Sequence, residues 1–133
     1  MRLAFVVNYV PYMRRIVLAL MFLVALSASA QNWVPDEAVL SKLEVSVTQY
    51  HSRRPVAVAS YARFYFGYTA ENHRMIHGEY VLSRGSMSKP AGIYVVGSQK
   101  ELPRIFDGGC SVINMIYDVE AGQIVSLECN GIV

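Results

Sequence analysis

Between residues 36 and 50 the apolar positions fall at helical spacing. Val39, Leu43, Ser46, Val47 and Tyr50 form one stripe at steps of three and four residues, the mark of an amphipathic helix. Asn32 or Asp36 is placed to cap it, and Pro35 suits a first turn. The β-branched Val45, Val47 and Thr48 weaken its end. His51-Ser52-Arg53-Arg54-Pro55 is a polar break, because a proline biases the residue before it away from helix.

From Val56 the pattern changes. Val56 to Thr69 is rich in Val, Phe and Tyr and holds no proline, which predicts a strand. Ala70-Glu71-Asn72-His73 is a turn, and Arg74 to Ser83 returns as a second strand. Pairing Thr69 with Arg74 sets Gly67 opposite Ile76 and Gly78 opposite Tyr65, so each glycine leaves room for a large neighbour. Arg84 to Pro90 is a Gly/Ser/Pro loop. Ile93 to Gly97 is a short third strand. Ser98-Gln99-Lys100-Glu101 has the form of a capping box. With Pro103 so close, it predicts a short helix, partly 3₁₀, that ends at Phe106 before Gly108-Gly109.

Ser111, Ile113, Met115, Tyr117 and Val119 alternate as the apolar face of a fourth strand. Val125, Leu127 and Cys129 do so for a fifth. The two faces match if Val119 pairs with Gln123, leaving Glu120-Ala121-Gly122 as a three-residue loop with Gly122 in the left-handed conformation. The expected fold is therefore α+β: an N-terminal helix packed on an antiparallel sheet of about five strands, in the order α-β-β-β-α-β-β. This order resembles the cystatin-like and NTF2-like folds, in which a helix lies on a curved sheet. The likeness is one of element order, and what it implies is the architecture.

The first thirty residues read differently. Met13-Arg14-Arg15 is a basic start, Ile16 to Leu26 is an unbroken apolar run of eleven residues, and Ser27-Ala28-Ser29-Ala30 supplies an A-x-A site. These are the three parts of a cleavable secretory signal. The run is shorter than the roughly 20 residues a bilayer span needs. Residues 1–30 are thus expected to be a leader, with Met13 an alternative start. Residues 31–133 are expected to be one compact domain, periplasmic or secreted, with no membrane anchor after cleavage. Export changes the charge argument. The whole chain has 12 Lys and Arg against 10 Asp and Glu. Arg2, Arg14 and Arg15 leave with the leader and no acid does, so the domain keeps 9 basic and 10 acidic residues, a net of −1. No basic stripe is left for nucleic acid, and no polybasic run for a membrane surface.

Cys110 and Cys129 would be bonded in an oxidising compartment. The predicted register opposes this. It places Cys129 opposite Ile113, three residues from Cys110, and three strand residues span roughly 10 Å, beyond the approximately 7 Å between Cα atoms that a disulfide tolerates. The bond therefore requires Gly108 to Ser111 to curl out of regular strand, which two adjacent glycines permit.

Candidate chemistry gathers on the first hairpin. Tyr61, Tyr65, Tyr80, Ile76 and Leu82 point one way; Phe64, Phe66, Tyr68, Met75 and Val81 point the other. Either the sheet is covered on both faces, by the helix and by loops or a partner chain, or an aromatic patch is exposed as a binding surface. The candidate binding residues are Tyr61, Arg63, Tyr65, Tyr80, His73 and Arg74. His77 and Glu79 fall on the face away from Arg63 and Tyr80. His73 and His77, four apart in a hairpin, are too spread for a metal site, and no metal or other cofactor is expected. Cys110 after Gly108-Gly109 has the setting of a nucleophile but no base nearby in sequence. The chain has no G-x-S-x-G, H-E-x-x-H or phosphate loop. These features favour a non-catalytic binding or inhibitor-like or immunity-like module of the cell envelope, taking a protein partner or a small ligand. A small envelope enzyme with its site in the sheet concavity, or a homodimer closed by the aromatic hairpin, are the alternatives.

Overall fold

The computed structural model describes residues 31–50, 57–84 and 89–131. The leader, the break at 51–55 and the middle of the 84–90 loop lie outside the described residues. The elements are β1 (Asn32–Trp33), α1 (Glu37–Tyr50), a 3₁₀ turn (Val58–Ser60), β2 (Tyr61–Ala70), β3 (His73–Leu82), β4 (Gly92–Val95), a second 3₁₀ turn (Gln99–Glu101), β5 (Gly109–Asp118) and β6 (Gln123–Asn130).

The α+β expectation holds, with a helix packed on a mainly antiparallel sheet, but the element count is corrected. The sheet has six strands in the order β1-β2-β3-β5-β6, with β4 also on β2. The added strand is β1, antiparallel to the end of β2 through Asn32↔Tyr68 and Trp33↔Gly67. The Trp33 ring lies directly on Gly67, where a Cβ would stand 2.5 Å from the Trp33 carbonyl oxygen. The expected second helix shrinks to one 3₁₀ turn. Ser98 and Glu101 do pair, but side chain to side chain, with Ser98 Oγ donating to Glu101 Oε1 at 2.8 Å. That leaves the turn's backbone without a side-chain cap.

Asp36 starts α1 by accepting from the Val39 backbone N–H at 2.9 Å. Leu40, Leu43 and Val47 are its buried residues. Tyr50, placed on the same stripe by its spacing, is instead 54% exposed at the helix end. β2 and β3 pair in the predicted register throughout, from Tyr61↔Leu82 to Ala70↔His73, with Thr69↔Arg74. Glu71 and Asn72 both have positive φ, 50° and 66°, as a tight two-residue hairpin turn requires.

The sheet carries a core on each face. Under α1 lie Tyr61, Tyr65, Ile76, Tyr80, Ile113, Met115 and Tyr117, packed with Leu40, Leu43 and Val47. The other face carries Ala62, Phe64 and Phe66, closed by Leu102 with Tyr94 and Val96 beside it. Leu102 reaches them because β4 runs parallel to β2, Ala62↔Gly92 to Tyr65↔Val95, beyond the β2 edge. The chain must then cross the sheet to begin β5 beside β3. Residues 96–108 make that crossing and form a strap. Both faces of the first hairpin are covered, one by the helix and one by this strap.

The β5–β6 connection is corrected by one residue. Asp118, not Val119, pairs with Gln123, so the loop has four residues, Val119 to Gly122. Asp118 Oδ1 accepts from the Ala121 N–H at 2.9 Å and shapes the turn. Gly122 is left-handed as predicted, at φ 64°. The ladder then slips: Tyr117 faces Ile124, but Ile116 faces Ser126. Val125 is the extra, bulged residue and is 61% exposed, while Ile124 takes the core position assigned to it. Past the bulge the predicted pairing Ile113↔Cys129 is restored.

Candidate functional site

The site begins with a local oddity in β3. On the face away from α1 its side chains alternate Met75, His77, Glu79, Val81. Two rows cross the sheet there: Phe66–His77–Ile116 and Phe64–Glu79–Asn114. An acid beside a phenylalanine, under Leu102, is an unusual core occupant. Glu79 is only 6% exposed. No hydrogen bond or ion pair partners it among the described residues. Burial alone pushes its carboxyl up to about 7, because desolvation penalises the charged form. Burial likewise pushes the His77 imidazole down, against an opposing hydrogen bond with the Asn114 side chain.

Space opens where the strap stands off this face. A cleft of about 260 Å³ is lined by His77, Glu79, Gln99, Lys100, Leu102, Pro103 and Arg104. A wider groove of about 880 Å³ runs on toward β1, past Phe66, Tyr68, Ile116, Ser98 and Asn32. His77, Gln99 and Lys100 border both. The Phe66 and Tyr68 rings stack at 6.0 Å and 13° along the groove floor. The combined hollow has the make-up of a ligand site, with an apolar floor and a few convergent polar groups, one of them strongly perturbed.

The residues singled out by sequence divide between two other places. Four lie beneath α1. Tyr65 and Tyr80 are fully buried. Arg63 pairs with Glu44 of the helix. Tyr65 OH donates to Glu44 Oε1 at 2.5 Å and lies 3.0 Å from Tyr80 OH. A hydroxyl has one proton, so with that of Tyr65 on Glu44 the Tyr80 hydroxyl is the donor between them. Burial pushes both phenols up. Tyr61 OH donates to the Cys110 carbonyl at 2.7 Å. The Glu44 contacts fasten the helix to the sheet, and the Tyr61 bond ties β2 to the start of β5. Arg63 Nε is left with no partner inside that cluster.

The other two, His73 and Arg74, stand exposed at the hairpin tip. His73 Nδ1 is 3.1 Å from Asp118 Oδ2. The Arg74 N–H and Nε–H both donate to Glu120, at 2.7 Å each, and its guanidinium lies 5.3 Å from the Trp33 ring. His73, Asp118 and Glu120 offer ligand atoms within 4.8 Å of one another, but both carboxylates are already engaged and Arg74 supplies the cation there. Asp118 and Glu120 are held below the usual carboxylate range, first by the Ala121 N–H and by the Arg74 side chain respectively. The tip is a clasp between two hairpin ends. His73 and His77 stand well apart, one at the tip and one in the cleft.

Cys110 and Cys129 are bonded, with Cα atoms 4.5 Å apart. The required bend is present: Gly108 and Gly109 have φ of 133° and 51°, and the Ser111 N–H donates back to the Gly108 carbonyl at 2.9 Å. Gly109 pairs with Asn130, and the ladder resumes only at Ile113. With its sulfur in this bond, Cys110 offers no thiolate.

Sequence reading put His77 and Glu79 on the correct face but left them out of the candidate site. The signal was available: Glu79 sits at an alternating position between Phe64 and Val81. What could not be read was the strap that buries it. Among known proteins the chain matches no family model, no curated sequence and no solved structure.

Proposed function

We propose that this protein is a small binding module of the cell envelope and that its ligand lies in the groove between the strap and the sheet. The single observation that carries this reading is Glu79, a residue only 6% exposed whose carboxyl has no partner among the described residues and lines a hollow. An unpaired buried acid destabilises a fold, so its presence is best accounted for by something it meets. The stacked Phe66 and Tyr68 give a ligand area to lie on, and Gln99, Ser98 and Asn32 give it hydrogen bonds. Export rests on the three-part leader and is checked by an N-terminus at Gln31 in the protein from its host. No helix among the described residues is long and apolar enough to cross a membrane.

The test is an NMR titration of the domain with small neutral aromatic probes, indole and phenethyl alcohol. Saturable shifts gathered at Phe66, Tyr68, His77, Gln99 and Ile116 are expected. Shifts scattered over the surface, or none, would remove the groove as a ligand site.

The perturbed pair Glu79 and His77 supports a second reading, an enzyme. An acid that holds its proton near neutrality beside an imidazole that sheds its own is the pairing used for proton transfer.

A further inference from the structure

The cleft has two electrical poles that do not touch. Its floor is the Glu79 carboxyl. Its rim carries Lys100 and Arg104, both exposed. Neither cation is within ion-pair distance of Glu79. Lys100 and Arg104 also have no acidic partner of their own among the described residues. An acid and two bases thus line one hollow of about 260 Å³ and leave a gap between them. His77 also lines the cleft, its imidazole pushed down by burial. From this cleft the groove leads away over Phe66, Tyr68 and Ile116, which are apolar.

Resting on the groove reading above, we propose that the ligand is a small zwitterion of the amino-acid type, its ammonium on Glu79, its carboxylate between Lys100 and Arg104, and its apolar side chain over Phe66 and Tyr68. The ammonium supplies the partner that Glu79 lacks, and its charge favours the ionised carboxylate, which gives up its proton to solvent on binding. The ligand's own carboxylate supplies the counter-charge that the rim lacks. A ligand with a cation alone would be repelled by the rim, and one with an anion alone would leave Glu79 unpaired. Charge-assisted hydrogen bonds at both ends fix the molecule's direction, and the aromatic floor selects the side chain.

The probes are L-phenylalanine, N-acetyl-L-phenylalanine, which has no ammonium, and L-phenylalanine amide, which has no carboxylate. Calorimetric or NMR titration of the domain should show saturable binding of phenylalanine and at least about tenfold weaker binding of both blocked forms, the loss expected for about 1.4 kcal/mol at each end. Glu79→Gln, close to isosteric, should weaken phenylalanine about tenfold or more while leaving the indole shifts in place. Lys100→Gln with Arg104→Gln should weaken phenylalanine and, by removing the rim's repulsion, leave the amide bound at least as well as before. Equal affinity for phenylalanine and either blocked form overturns the proposal, as does unchanged affinity in the Glu79→Gln protein. If indole shifts the groove but phenylalanine does not bind, the zwitterion fails and the groove stands. If neither binds, both readings fall.

Discussion

Glu79 should make the domain less stable as pH rises. Its folded carboxyl is raised to about 7 from an ordinary 4.5, so between those values the folded state holds a proton that the unfolded state has lost. Stability is therefore full below about pH 4.5 and declines through about pH 7, by on the order of 3 kcal/mol at most. Glu79→Gln removes the decline. Thermal melts should show the variant close to wild type at pH 4 and several degrees more stable at pH 8. His77, pushed down, acts in the opposite direction and is common to both proteins, so the difference between them isolates Glu79. Parallel curves across this range would show that Glu79 is solvated. The contrast with Glu44 is instructive. Glu44 meets Arg63 and Tyr65 and holds two elements together, whereas Glu79 meets no partner among the described residues.

Hairpin turns decide register at the scale of elements. Gly122 has φ 64°, where a β-branched residue is strained, so Gly122→Val should cost at least about 1 kcal/mol. Denaturant melts check this, and a variant as stable as wild type would mean that the loop rearranges freely. The same region shows how far sequence carries. The β2–β3 register was legible because a two-residue turn and two glycines opposite large residues allow one alignment. The β5–β6 loop was misread by one because the Asp118 carboxylate closes a four-residue turn, and the Val125 bulge then restores the alignment that the apolar faces demand. Alternation shows which residues share a face; it does not reveal an inserted residue. β4 and the strap were less legible still. Their pairing joins segments that are not neighbours in sequence, and the strap's covering of Glu79 exists only once that crossing is made. Hence the acid was visible in the sequence and its setting was not.

For the whole molecule, the disulfide joins the start of β5, two residues past the strap, to the last strand. Free-thiol labelling of unfolded, unreduced protein should find no reactive cysteine; two labelled cysteines would contradict the bend at Gly108-Gly109. Replacing both cysteines with serine should lower stability by about 3 kcal/mol, read from denaturant melts. One architecture thus serves two cores: the helix with its Arg63–Glu44 contact secures one face, and the strap held by Leu102 and the Cys110–Cys129 bond secures the other.

The bulge at Val125 has a consequence beyond register. β6 ends the sheet, so its outer backbone groups have no neighbouring strand among the described residues, and such an edge is a template on which other chains can add and aggregate. A bulge bends and twists the strand that holds it. A second molecule laid along Gln123–Asn130 therefore meets a broken row of donors and acceptors and cannot pair along its full length. The misaligned residue that upset the simple alternation thus blunts the sheet's open end and hinders polymerisation through it.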